Sequence, residues 1–222
     1  MLKPRKRLTK REMKEDKFVT FAANATDFFQ QNWRQIALGI AAVLVVILVS
    51  AGWVKHRQTQ ENTASEQLAE AAIAEQEGET DRAEALYAQV VSKFGRTKAG
   101  IPACTSLGAL QFSEGKFDEA IATYRKVLAR GGADPLGAFA AYSGVGACLE
   151  EQGKYEEAAI QYRAYAKKYP RSPFAPEALS DAARCFMQAG RAVEAKATLE
   201  QIVDVYPKSQ AAYQARSAIK ML

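Results

Sequence analysis

Residues 145–170 read VGACLEEQGKYEEAAIQYRAYAKKYP, and residues 107–128 read LGALQFSEGKFDEAIATYRKVL. Both stretches follow one order: an aliphatic–glycine pair, a second glycine, an aromatic residue, then alanine and tyrosine one helical turn apart. Working outward, Gly78, Gly115, Gly153 and Gly190 are spaced by 37, 38 and 37 residues. Ala83, Ala120, Ala158 and Ala195 follow those glycines in a fixed register, then Tyr87, Tyr124, Tyr162 and Leu199. A breaker closes each copy: Gly95, Gly132, Pro170 and Pro207. Fixed-period self-similarity of this length marks a repeat architecture.

Each copy reads as a pair of helices. Glycine ends the first helix, where a left-handed backbone position is open to it. The small alanine lets the two helices approach closely, and the large residue one turn later fills the space between them. Glycine or proline then stops the second helix. Asp134-Pro135 and Ser172-Pro173 read as an N-cap followed by proline at the first helical position. Ser209 reads as the cap of a last helix with an apolar face of Ala212, Ala215, Ile219 and Leu222. One hairpin cannot bury its face alone, but stacked copies form a continuous core. The expected fold is therefore all-α: a solenoid of about four helical hairpins plus a terminal helix, preceded by one transmembrane helix.

Residues Leu107-Gly108, Gly115, Phe117, Ala120, Tyr124 and Leu128 resemble the tetratricopeptide signature. Val145-Gly146, Leu149, Gly153, Tyr155, Ala158, Tyr162 and Pro170 resemble it as well. A third copy is weaker, with Ala182-Ala183 in place of the leading pair, and the first, from about residue 64, keeps mainly its second helix. The family period is about 34 residues; the longer period here implies extended turns or helix ends. The segments KKYPRSPFAPEAL (167–179) and DVYPKSQAAYQAR (204–216) resemble the long-period repeats of bacterial envelope proteins, including outer-membrane assembly and Tol–Pal-associated factors.

Residues 36–54, IALGIAAVLVVILVSAGWV, carry no charge. As a helix they span about 28 Å, close to the hydrocarbon thickness of a bilayer. Trp33 and Trp53 flank the run, and Arg34, Lys55 and Arg57 mark its ends. The formal net charge of +5 is uneven: residues 1–34 hold nine Lys/Arg against four Asp/Glu, whereas residues 55–222 hold 21 of each. The positive-inside bias therefore places the N-terminus in the cytoplasm and the repeats outside. A cleaved secretory signal is the competing reading, because Val49-Ser50-Ala51 has the small-residue pattern of a cleavage site. Phe18, Phe21, Ala25, Phe28 and Phe29 recur at helical spacing and suggest an amphipathic interfacial helix. The basic residues ahead of it suit anionic lipid. The expected layout is a basic cytoplasmic tail (1–17), an interfacial helix (18–34), a transmembrane helix (35–54), a linker (55–62) and a repeat domain (63–222).

This layout is similar to the ancillary subunit of the bacterial Sec translocon (the YfgM-like family). The resemblance implies a single-pass protein of the bacterial inner membrane that assists export beside the translocon, together with a membrane-anchored periplasmic chaperone. A structural organiser of cell-envelope, cell-wall or division proteins is the alternative.

Motifs for chemistry are missing. There is one histidine, His56, beside the apolar run, and no nucleophile elbow, phosphate-binding loop, dinucleotide fingerprint or HExxH sequence. Glu150-Glu151 and Glu156-Glu157 read as solvated helix faces. The neutral repeat domain lacks the basic clustering that nucleic acid demands. Cys104, Cys148 and Cys185 read as small buried thiols, since equivalent positions on packed helices lie too far apart for a bridge. No enzyme activity, cofactor or metal is expected.

A solenoid of this type presents the first helix of each pair to its concave side. The family pattern places Leu68, Ala72, Thr105, Ala109, Phe112, Ser143, Ala147, Glu150, Arg184 and Met187 there. Phe112 and Met187 would hold an apolar element of a partner, with core packing as the alternative for both, and Arg184 would pair an acidic one. Family members that clamp a terminal carboxylate use lysine and asparagine; Thr105, Ala109, Ser143 and Ala147 stand in their place.

Overall fold

The computed structural model describes residues 10–129 and 134–222, with side chains from residue 32 onward apart from residue 36. The start of the basic tail, the breaker at Gly132 and the side chains of the interfacial stretch 18–31 lie outside the described residues. Nine helices are present among them: α1 (Lys10–Gln76), α2 (Thr80–Lys93), α3 (Gly100–Ser113), α4 (Phe117–Ala129), α5 (Pro135–Glu151), α6 (Tyr155–Lys168), α7 (Ala175–Gln188), α8 (Ala192–Val205) and α9 (Gln210–Ile219). The chain divides into two units, residues 1–57 and 58–222.

In the first unit the apolar run is helical throughout, and every residue from Ala37 to Val54 is exposed. Such a helix is long and apolar enough to cross a membrane. Its aromatic flanks each lie under a guanidinium: Arg34 is 5.6 Å from the Trp33 ring and Arg57 is 5.9 Å from that of Trp53. Residues 55–62, assigned as a linker, share the helical backbone of the span, because α1 is unbroken.

In the second unit the C-terminal part of α1 pairs with α2, then α3 with α4, α5 with α6, and α7 with α8, leaving α9 at the end. Each hairpin turn is closed by a glycine at positive φ, between 72° and 77°. At Gly153 the N–H donates to the Glu150 carbonyl (2.8 Å), and the next N–H, of Lys154, reaches back to Leu149 (2.8 Å). The same two bonds recur at the other three glycines. This is a Schellman ending, which satisfies carbonyls that the helix end leaves orphaned.

The four register alanines and the four large residues that follow them are all buried. The rings of Tyr124 and Tyr162 press on the first helix of their own hairpin, where Gly108 and Gly146 leave room. A Cβ there would meet ring atoms at 2.7 and 2.5 Å. Turns within hairpins are three residues long, whereas those between hairpins run from four to six. The extra length of the period therefore lies between hairpins. Asp134 caps α5, accepting from the Gly137 N–H at 2.8 Å, and Ser209 caps α9, accepting from that of Ala212 at 3.1 Å. The expected cap at Ser172-Pro173 is corrected. Helix α7 starts at Ala175 behind Phe174, and the Ser172 hydroxyl instead meets that of Tyr165 at 2.5 Å. The same hydroxyl accepts from the Phe174 N–H at 3.3 Å, one residue ahead of the helix, and the Tyr165 ring that it meets packs among Phe139, Tyr142 and Tyr169. On the last helix Ala212 and Ala215 are buried, but Ile219 is half-buried and Leu222 is exposed.

First helices also pack side by side: α3 on α5, α5 on α7, α7 on α9. The second helices stand further apart. The first helices thus form one continuous side of the array, hereafter its inner face.

Candidate protein-binding surface

Adjacent hairpins are locked by polar links recurring about one repeat apart. Lys116 Nζ donates to Glu84 (2.8 Å), Gln152 to Asp118 (2.8 Å), Arg184 Nη2 to Glu150 (3.0 Å) and Arg191 Nη1 to Glu156 (3.0 Å). Behind Glu84, buried Gln111 accepts from the Thr123 hydroxyl at 2.8 Å. Such links fix the pitch of a stack whose buried residues are largely alanine, and so fix the shape of the inner face.

The position three residues before each turn glycine is occupied by Glu75, Phe112, Glu150 and Met187. In the first and third hairpins it faces the large residue of the second helix. Where that residue is tyrosine and the partner is glutamate, the hydroxyl donates: Tyr87 to Glu75 at 2.6 Å and Tyr162 to Glu150 at 2.8 Å. At the second hairpin the equivalent Phe112 packs edge-on to Phe117 at 5.6 Å. The tyrosine–glutamate pairs stand 12 residues apart in sequence, a spacing that could have been found from the repeat register alone.

Burial works against charge on Glu150, but hydrogen bonds from Arg184 and Tyr162 outweigh it and hold the carboxyl below its usual range. Tyr162 is pushed far up, by burial first and then by its bond to Glu150. Neighbouring Asp181 is shifted upward by burial, which its bond from Arg184 only partly offsets. Arg184 is therefore committed within the chain, to Glu150 and Asp181. An acidic element of a partner, expected to pair with Arg184, would meet a guanidinium that already has carboxylate partners on its own and the preceding first helix.

The other expected groove residues lie on first helices as placed. Ala72 and Ala109 are exposed, Ala147 is half-buried, and Met187 is 44% exposed. Thr105 turns its hydroxyl onto its own helix, donating to the Pro102 carbonyl at 2.9 Å. Ser143 has its hydroxyl enclosed without a hydrogen-bond partner among the described residues. Leu68 and Phe112 lean on the core, so both are partly packing residues. Ala109 and Phe112 lie on α3, Ser143 and Ala147 on α5, and Met187 on α7, so the expected groove residues there are small or apolar apart from the charged Glu150 and Arg184. Among the described residues they form no convergent set of acids, bases or nucleophiles.

A family profile described as a tetratricopeptide repeat-like domain matches residues 26–165, well over half of the chain. The chain belongs to the tetratricopeptide repeat-like family. A second tetratricopeptide profile matches residues 149–219, so the two together carry the repeats to α9. Among solved structures, a tetratricopeptide repeat protein of Parabacteroides merdae is similar at 19% identity with a TM-score of 0.56. The match covers 72% of this chain and 59% of that one, so this chain spans less than two thirds of its relative. A putative kinesin light chain with tetratricopeptide-like repeats from Podosopora anserina gives 19% identity and a TM-score of 0.52, over 72% and 90% of the two chains. The pilF protein of Pseudomonas aeruginosa gives 17% identity and 0.51, over 71% of each. At these identities the likeness concerns the fold. No curated protein matches the chain. A tetratricopeptide-repeat array is a scaffold suited to protein–protein interaction; no group of three or more His, Cys, Asp or Glu able to hold a metal occurs among the described residues.

Proposed function

We propose that this tetratricopeptide-repeat protein is anchored in a bacterial inner membrane by α1 and organises envelope proteins on the inner face of its repeats. The observation that carries the reading is the double use of one helix. Helix α1 holds an exposed apolar stretch long enough to span a bilayer, and its last turns supply Ala64, Ala71 and Ala74 to the repeat core. The family match begins at residue 26, upstream of that stretch, which favours an anchor belonging to the domain over a removable leader. Basic residues before the span and their scarcity after it favour a cytoplasmic N-terminus, with anionic lipid at the tail. The repeats then lie outside the cytoplasm, where cell-wall and division proteins are the partners within reach.

Service beside the Sec translocon, with a membrane-anchored periplasmic chaperone, is the narrower second reading. It rests on the order of basic tail, single span and repeats. Photocrosslinking probes at Ala109 and Met187 of the full chain, in intact membranes, separate the two. Adducts with wall or division proteins support the organiser. Adducts confined to translocon subunits or emerging chains overturn it in favour of export. Silence at both positions rejects the inner face as the binding surface.

A further inference from the structure

A second recess lies among the second helices, away from the inner face. It opens between α6 and α8, has a volume of about 590 Å³, and reaches down to α7. Leu179 and Ala166 form its buried floor. Ile160 on α6 and Val205 on α8 form its walls, each 53% exposed. Tyr206 closes one end, its hydroxyl donating to the Pro170 carbonyl at 2.8 Å. Ile160, Arg163, Ala164 and Lys167 share one face of α6 by their three- and four-residue spacing.

The cleft is charged on one sign only. Its lining holds Arg163 and Lys167 and no carboxylate. Neither forms an ion pair among the described residues, whereas Arg82, Lys116, Arg184 and Arg191 each do. The Arg163 guanidinium rests 5.5 Å from the Phe186 ring instead. Glu194, the carboxylate that feels the Arg163 charge, is itself held by Arg191. Two aliphatic side chains thus stand half-exposed across an unfilled gap, with two cations that form no ion pair among the described residues on the same rim. Apolar contact of that kind supplies anchoring, and the cations supply orientation and selection by sign.

We propose that this cleft binds an acidic amphipathic segment of a partner protein. The segment inserts a large apolar side chain between Ile160 and Val205, and places a carboxylate within one turn of it against Arg163 or Lys167. This site is independent of the inner face, so the two surfaces let one hairpin array hold two partners at once.

The test uses the full chain in uncharged phosphatidylcholine nanodiscs and a display library of random dodecapeptides. Selected peptides are labelled with fluorescein and titrated by anisotropy against wild type and three variants. These are the double variant Arg163→Glu/Lys167→Glu, Ile160→Ser, and the inner-face double variant Ala109→Asp/Ala147→Asp. Circular dichroism of each variant checks that the helices persist. The expected result is a consensus of Asp or Glu beside Leu, Phe or Trp, with binding that weakens as salt is added. Affinity falls about tenfold on double charge reversal, falls with Ile160→Ser, and is unchanged by the inner-face variant. A consensus without acids, affinity indifferent to charge reversal, or binding lost only in the inner-face variant overturns the proposal. So does charge-reversal-sensitive binding to phosphatidylglycerol vesicles with no peptide selected, which assigns the cations to a membrane surface.

Discussion

The ring of Tyr124 in α4 lies against Gly144 in α5, so that a Cβ at Gly144 would meet ring atoms between 2.4 and 2.7 Å away. The same ring atoms lie within 2.7 to 2.9 Å of a Cβ built at Gly108 of α3, so the ring is closely approached by two helices. Gly144→Ala is therefore expected to lower stability by about 1–3 kcal/mol through overpacking, and the melting temperature by several degrees. Shortening the ring in the double variant Gly144→Ala/Tyr124→Leu should recover part of the loss relative to the summed single variants. Thermal unfolding of the four proteins checks both statements.

Glu150 ties Tyr162 of its own hairpin to Arg184 of the next. Hydrogen bonds from Arg184 and Tyr162 hold its carboxyl below the ordinary glutamate range, against the opposing effect of burial. A depressed carboxyl contributes stability that is present above the unfolded pKa and lost as pH falls through the folded one. Asp181, shifted upward, acts in the opposite sense, so the comparison is made within one site. Glu150→Gln should be less stable than wild type at neutral pH, and the gap should narrow below about pH 4.5. Urea midpoints measured from pH 3 to 7 decide it.

Burial pushes the Cys148 thiol up to about 11 and that of Cys185 up to about 12. With Cys104 they are fully enclosed in first helices. Thiolate is the reactive form, so alkylation of the native protein at pH 8 should be slow at all three, and rapid once urea unfolds the array. Iodoacetamide labelling followed by mass spectrometry reads this directly. Fast modification of Cys148 or Cys185 in the native protein would contradict their enclosure.

If α1 is a retained anchor, the membrane-bound chain keeps its full 24.3 kDa. It should also resist alkaline carbonate extraction. Val45→Arg, at the middle of the apolar run, is expected to weaken insertion by about 3 kcal/mol and shift the protein to the soluble fraction. A mature chain starting near Gly52 would instead identify the segment as a cleaved signal.

Periodicity made most of the repeat fold legible. Four features in one register placed the hairpin glycines, the buried alanines and the large residues of the second helices where they stand. Local rules served for Asp134 and Ser209 as caps. They failed at Ser172, whose hydroxyl meets Tyr165, seven residues upstream, and the Phe174 N–H, while the helix itself starts later, at Ala175. Candidate binding residues were harder to read, because position on a first helix does not tell whether a charge is spent inside the chain. Arg184 falls on the expected helix, yet its partner lies 34 residues away on the preceding repeat. The Gly144–Tyr124 contact was hidden for a related reason: it joins neighbouring hairpins, while the repeat pattern describes contacts within one.

Quantitative co-purification from membranes shows whether a membrane-held repeat array gathers proteins on its inner face. The full chain is compared with Ala109→Asp/Ala147→Asp, which charges that face and leaves the core untouched. The expected result is equal membrane content and unchanged melting, with a defined set of partner proteins depleted from the variant. An unchanged partner set in a folded, membrane-bound variant would contradict binding on that face.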